Sequence, residues 1–166
     1  MDKIHRVPPT IRCYEVPATV LTATIDALRG MSKGQRESIV LWSGRIVSEE
    51  RARVVRLLIP RQNTGRLHFN VPLRERMQLI ADLASANELA LVQLHTHPQR
   101  AFHSEADDQL AIIKHVGALS VVVPEFGSRW TGDFSETSVN IHEGRSVWRE
   151  LTPLGSQMLF EVMRWQ

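Results

Sequence analysis

The chain has 166 residues, 43% hydrophobic and 23% charged, a balance that suits one globular domain over 1–166 with a single hydrophobic core. Its 20 Lys and Arg against 18 Asp and Glu leave a net charge of +2, scattered without long runs of one sign, so nothing calls for a nucleic-acid partner or a membrane surface. Cys13 alone excludes an intrachain disulfide and a Cys-rich zinc cluster; with no apolar leader and no stretch near the ~18 apolar residues of a span, a cytoplasmic location is expected.

In chain order, residues 7–17 carry Pro8, Pro9 and Pro17 around a short apolar stretch and read as an extended lead-in or edge strand. Leu21, Ile25 and Leu28 recur at helical spacing between Ala18 and Met31, with Gly30 as a stop. Residues 37–47 and 53–59 are rich in β-formers and predict neighbouring strands. Gln62-Asn63-Thr64-Gly65 has turn chemistry. Pro72 opens an amphipathic helix from Leu73 to Ala86, with Met77, Ile80, Leu83 and Ala84 on one face. Leu89 to Leu94 reads as a strand buried on both sides. A helix is expected from Glu105 to Val116, a buried strand from Leu119 to Val123, a polar loop over 125–138, a late strand from Val139 to His142 and a closing helix from Leu154 to Trp165. Alternating strands and helices make this a mixed α/β or α+β domain.

The chemistry concentrates between Leu94 and Asp108. His95 and His97 are two apart at a strand end, so both imidazoles project from one face and can reach one ion. Pro98 ends that strand, Ser104 opens the next helix, and Asp107 falls in its first turn, where it can fold back on the histidines. Two neutral imidazoles and a carboxylate form a catalytic-zinc ligand set that leaves one position open. Such a metal lowers the pKa of its water towards about 7 and polarises a carbonyl. Ser-x-x-Asp is also a capping box, and a general base must come from elsewhere in the chain.

The segment His95-Thr96-His97-Pro98 followed by Ser104-x-x-Asp107 resembles the signature of the JAMM (MPN-domain) metalloproteases, zinc isopeptidases that remove ubiquitin or ubiquitin-like proteins. A second match lies upstream: Glu37 precedes Ile39, Val40, Leu41 and Trp42, and Gly44 stands seven positions on. The resemblance covers residues 18–124 and implies an MPN, cytidine-deaminase-like fold, with a mixed central sheet flanked by helices. It implies one Zn2+ held by His95, His97 and Asp107, with Glu37 as general base and Ser104 donating to the oxyanion. The loop from Pro98 to His103 is one residue shorter than in the family, so Asp108 keeps the family's distance from His97; Asp107 keeps the helix phase from Ser104 and is favoured, because Asp108 would be rotated by about 100°. Ile39 and Val40 stand where the family often has glycine.

The implied activity is cleavage after the C-terminus of a ubiquitin-like protein, in deconjugation or precursor maturation. Small stand-alone members in bacteria accompany E1-like and E2-like enzymes, some in antiphage operons, and the implied partners are the ubiquitin-like protein and its conjugates. Two rival readings are a non-catalytic MPN scaffold and a hydrolase that releases a sulfur-carrier or cysteine adduct. By their order in the chain, residues 60–71 and 125–138 correspond to recognition loops. His103 reads as a surface-loop residue, His5, His68, His115 and His142 as structural or exposed, and Cys13 as a buried thiol. The four tryptophans read as packing residues, with Trp130 also a candidate for a groove wall.

Overall fold

The computed structural model describes residues 7–164 apart from Pro9, so His5, Pro9 and Trp165 lie outside the described residues. Ten strands and four helices follow one another as β1 (Cys13–Pro17), α1 (Ala18–Ser32), β2 (Ile39–Ile46), β3 (Arg51–Leu58), β4 (Asn63–Thr64), β5 (Phe69–Asn70), α2 (Leu73–Ala86), β6 (Leu89–Thr96), α3 (Glu105–Leu110), β7 (Leu119–Val123), β8 (Ser138–Gly144), β9 (Val147–Glu150), α4 (Pro153–Leu159) and β10 (Phe160–Met163). Eight strands form one mixed sheet in the order β10-β1-β3-β2-β6-β7-β8-β9, and β4 pairs with β5 in a separate ribbon. The result is the expected mixed α+β domain with a central mixed sheet flanked by helices. Among the described residues no helix is long and apolar enough to cross a membrane.

Helix α1 lays Leu21, Thr24 and Leu28 on the sheet at helical spacing. The buried Trp42 indole N–H donates to Thr24 Oγ1 at 2.7 Å, so its polar edge has a partner. Phe134 stacks on Phe160 at 4.0 Å, and both meet Trp42 edge-on. These rings join the sheet to its last strand.

Several boundaries differ from the expectation, each for a local reason. The lead-in becomes β1, an inner strand between β10 and β3, because β10 covers its free side in parallel pairing. Gly30 does not stop α1, which runs to Ser32; Ser32 Oγ donates to Phe126 O at 2.6 Å, and Lys33 in left-handed backbone ends the helix. Helix α3 ends at Leu110 rather than Val116, since the buried Gln93 Oε1 captures the N–H groups of Ile112 and Ile113 at 3.0 and 3.2 Å. The closing helix gives way after Leu159 to β10, whose Phe160 enters the aromatic cluster and whose backbone completes the ladder on β1.

The face of α2 bearing Met77 and Ile80 points to solvent, 62% and 66% exposed, while Leu79 and Leu83 form its half-buried side. Residues 125–138 are not an open polar loop: Phe126, Trp130 and Phe134 are buried, and the Arg29 guanidinium donates to Gly127 O and Trp130 O. Trp130 is therefore a packing residue. Cys13 is half-buried rather than buried; desolvation and its Sγ–Glu161 Oε2 contact at 3.4 Å push the thiol pKa up, which keeps it protonated.

Glu15 joins β1 to β3 by accepting from Arg51 Nε at 2.9 Å and from Arg53 Nε at 2.6 Å. Burial alone would raise its pKa, but the two guanidinium groups outweigh that and hold it below its ordinary value of 4.5. The stabilisation is therefore complete above the unfolded value and lost as pH falls through the lower folded one. Glu15→Gln should cost about 1–2 kcal/mol at pH 7, discounted because both arginines are partly exposed, and should flatten the acid limb of the stability curve. Urea unfolding of both proteins at neutral and acid pH checks this.

Candidate metal centre

Three elements deliver the site. Strand β6 pairs antiparallel with β2 on one side, Ile39 opposite His95, and parallel with β7 on the other, His95 opposite Val122. Locked from both flanks, its end projects His95 and His97 to one face, as their spacing predicts. Between them Thr96 donates its N–H to Ser38 O and accepts from Ser38 N at Oγ1, both at 3.0 Å. This holds Glu37, one residue before Ser38, beside the histidines. All of Glu37, His95, His97 and Asp107 are buried.

Ser104 caps α3 and Asp107 is its third helical residue. Asp107 Oδ2 accepts from Ser104 N at 2.6 Å and from Ser104 Oγ at 2.9 Å, while Asp107 N donates to Ser104 Oγ at 3.3 Å. The capping box and the site thus use the same two residues. Asp107 Oδ1 lies 3.1 Å from His95 Nε2, and each Asp107 oxygen lies 3.4 Å from His97 Nε2. Asp108 turns away to meet His103 Nε2 at 2.7 Å. Of the two aspartates, Asp107 is the one that joins the imidazoles.

The donor set fits a metal ion. One donor atom from each of His95, His97 and Asp107 lies within 4.8 Å of the others. Tetrahedral zinc with bonds of about 2.0–2.1 Å needs donors about 3.3–3.4 Å apart, close to the two shorter separations here. Both ring nitrogens of His95 are fully buried without a hydrogen-bond partner among the described residues, despite the nearby carboxylate. An orphaned buried imidazole is costly unless something outside the chain completes it. Protonation states agree. Burial pulls the His95 pKa down and outweighs Asp107, which keeps the ring neutral. Burial opposes ionisation of Asp107, but the histidines and the Ser104 backbone N–H hold its pKa far below the usual carboxylate range.

Glu37 shares a cavity of about 280 Å³ with Leu67, His97, Phe102, Ser104 and Asp107. Desolvation raises its pKa to about 7, with His97 drawing it down and the Asp107 carboxylate pushing it up. A carboxyl group near neutrality can both take and return a proton. Ser104 Oγ lines the same cavity, with its hydrogen directed to Asp107 Oδ2.

Some contributors are not legible from residue type. Phe69 packs on the His95 ring at 5.4 Å, and Phe102 meets the His97 ring edge-on at 4.9 Å. Neither ring sits at a recognisable spacing from the histidines. His103 is not a free surface residue: its ring lies 5.0 Å from that of Trp148 and pairs with Asp108. Trp148 also meets His142, which is buried; His68 is exposed and His115 half-buried.

A mixed sheet carries a buried His-His-Asp set that could hold a metal, with the Glu37 carboxyl group in the same cleft. Comparison with known proteins points the same way. The chain is 28% identical over 145 residues to a protein of Sinorhizobium fredii named "Probable metalloprotease y4jG", across 85% of this chain and 88% of that one. It shares its fold with the solution structure of protein DSY2949 from Desulfitobacterium hafniense, with a TM-score of 0.63 at 14% identity over 92% of this chain and 94% of that one. No protein-family profile matches the chain. The Sinorhizobium relative supports a hydrolase of the metalloprotease type, and the solved structure supports the fold alone.

Asp107→Ala should therefore abolish metal retention, a loss larger than the 10- to 100-fold that removing an outer partner of a metal ligand costs, while Asp108→Ala keeps about one metal per chain. Metal analysis after exhaustive dialysis reads both; the opposite pattern would transfer the ligand to Asp108.

Proposed function

We propose that the protein is a JAMM-type zinc peptidase that cleaves the peptide or isopeptide bond following the C-terminus of a ubiquitin-like protein. The observation that carries this reading is the meeting of His95, His97 and Asp107 around one point, with Glu37 and Ser104 in the same cleft. That arrangement joins the two separate sequence matches, the Glu37 segment and the His-x-His-Pro segment. The distant metalloprotease relative supports the coarser class.

His95 and His97 would bind Zn2+ through Nε2 and Asp107 through a carboxylate oxygen. When bound, the ion supplies a Lewis acid and makes water ionisable near neutral pH. The chain's own residues do the rest. Glu37 accepts the proton that water loses on attacking the scissile carbonyl, and hands it to the departing amine. Its burial favours uptake of that proton, because desolvation disfavours the charged form. Ser104 Oγ–H rotates from Asp107 Oδ2 towards the oxyanion forming on the substrate, while the Ser104 backbone N–H stays on Asp107. Leu67 and Phe102 line the cleft and would flank the substrate tail at the scissile bond.

The fitting partners are a ubiquitin-like protein and its conjugates, with E1-like and E2-like enzymes of the same operon, in a cytoplasmic conjugation system with a role in antiphage defence. A zinc-loaded sample should cleave a linear fusion that follows such a tail. Glu37→Gln should keep about one zinc per chain and lower kcat by about 10²–10⁴-fold. Unchanged cleavage by that variant would remove Glu37 from the mechanism. Zinc binding without cleavage would favour a scaffold, and hydrolysis of a cysteine adduct alone would favour the sulfur-carrier reaction.

A further inference from the structure

Strand β3 stops before β2 has finished needing it. The pairing sets Leu41 opposite Leu58, and continuing that register sets Ile39 opposite Pro60. Proline has no N–H to donate and is poorly placed inside a ladder. Yet Ile39 is fully buried, and buried backbone groups need partners. The carboxamide of Gln62 provides them: Oε1 accepts from Ile39 N at 2.8 Å, and Nε2 donates to Ile39 O at 2.7 Å. The same Nε2 reaches Pro60 O at 3.2 Å, closing the gap that the proline opens.

Two residues earlier the support continues. Glu37 N–H donates to Gly65 O at 2.8 Å, and Gly65 N–H donates to His68 O at 2.8 Å within the β4–β5 turn. From the other side, Ser38 is paired with Thr96. The segment Glu37–Ile39 is thus held between β6, which carries the histidines, and the β4–β5 ribbon, which carries Phe69 on His95 and Leu67 on the cleft. Gln62 makes two side-chain hydrogen bonds to the segment, and they fall where β3 cannot reach.

We propose that Gln62 is a positioning residue: its carboxamide stands in for the missing strand partner at Ile39, and so fixes Glu37 and the substrate-facing ribbon as one unit beside the metal ligands. The catalytic half of this rests on Glu37 being the general base. The mechanical half does not. A side chain that only filled space would be replaceable by one of equal length without hydrogen bonds.

Gln62→Met is the informative variant, with Gln62→Ala alongside, both as the zinc-loaded full chain. Residue-resolved amide exchange should rise about tenfold or more at Glu37 and Ile39, and stay unchanged at Val92 and Leu94 in the middle of β6. Zinc content should match the parent, since the three ligands lie on β6, directly after it and on α3. On a ubiquitin-like fusion, kcat should fall about tenfold or more with KM within about twofold, as expected for a displaced base. Unchanged exchange at Glu37 and Ile39 in the Met variant overturns the proposal. So does exchange rising equally through β6, which marks plain destabilisation, or local loosening with full kcat. If the parent protein cleaves no fusion, the functional reading fails by itself, and the exchange result still decides whether Gln62 holds Glu37.

Discussion

The two hydrogen bonds that Ser38 and Thr96 exchange are the junction on which the site depends. Thr96 lies between the histidines and Ser38 follows Glu37, so this link at the start of the β2–β6 pairing sets Glu37 beside His95 and His97. Nothing about Glu37 in isolation would place it near a metal, since it lies 58 residues before His95. Sheet register does so, and side-chain alternation allows no slip: a shift of one residue would send His95 and His97 to the opposite face.

Burying this many ionisable groups is costly unless each has a partner. Asp107 has its partners on the protein: the Ser104 amide and hydroxyl on one oxygen and the imidazoles within reach of both. The capping box therefore prepares the carboxylate before any ligand arrives. His95 is the reverse case, neutral, enclosed and lacking hydrogen bonds among the described residues. His95 Nε2 faces Asp107 Oδ1 at 3.1 Å while its Nδ1 has no partner among the described residues, an incomplete set that could accept a cation.

Much of this was readable from the sequence because it is written in short-range spacing. His-x-His at a strand end, Ser-x-x-Asp at a helix start, and the apolar runs of β2, β6 and β7 each follow from the geometry of one element. Helix phase from Ser104 favours Asp107 over Asp108, and the fold brings Asp107 to the histidines while Asp108 pairs with His103. What escaped depends on contacts between distant residues. The end of α3 is dictated by Gln93, β10 by an open ladder on β1, and the inward packing of residues 125–138 by Arg29 and Ser32 on α1. The outward face of α2 escaped for a related reason: periodicity identifies the helix and its apolar residues, but not which side meets the sheet.

Gln93 has a mechanical consequence. It sits on the strand that bears His95 and leads directly into His97, and its side-chain carbonyl oxygen anchors the chain just after the helix that carries Asp107. All three donors are therefore referred to a single strand, two directly and one through an amide tether. Breathing of the outer sheet would carry the triangle along as a rigid tripod instead of prising it open, so the spacing of the three side chains is insulated from movements at the edges of the molecule.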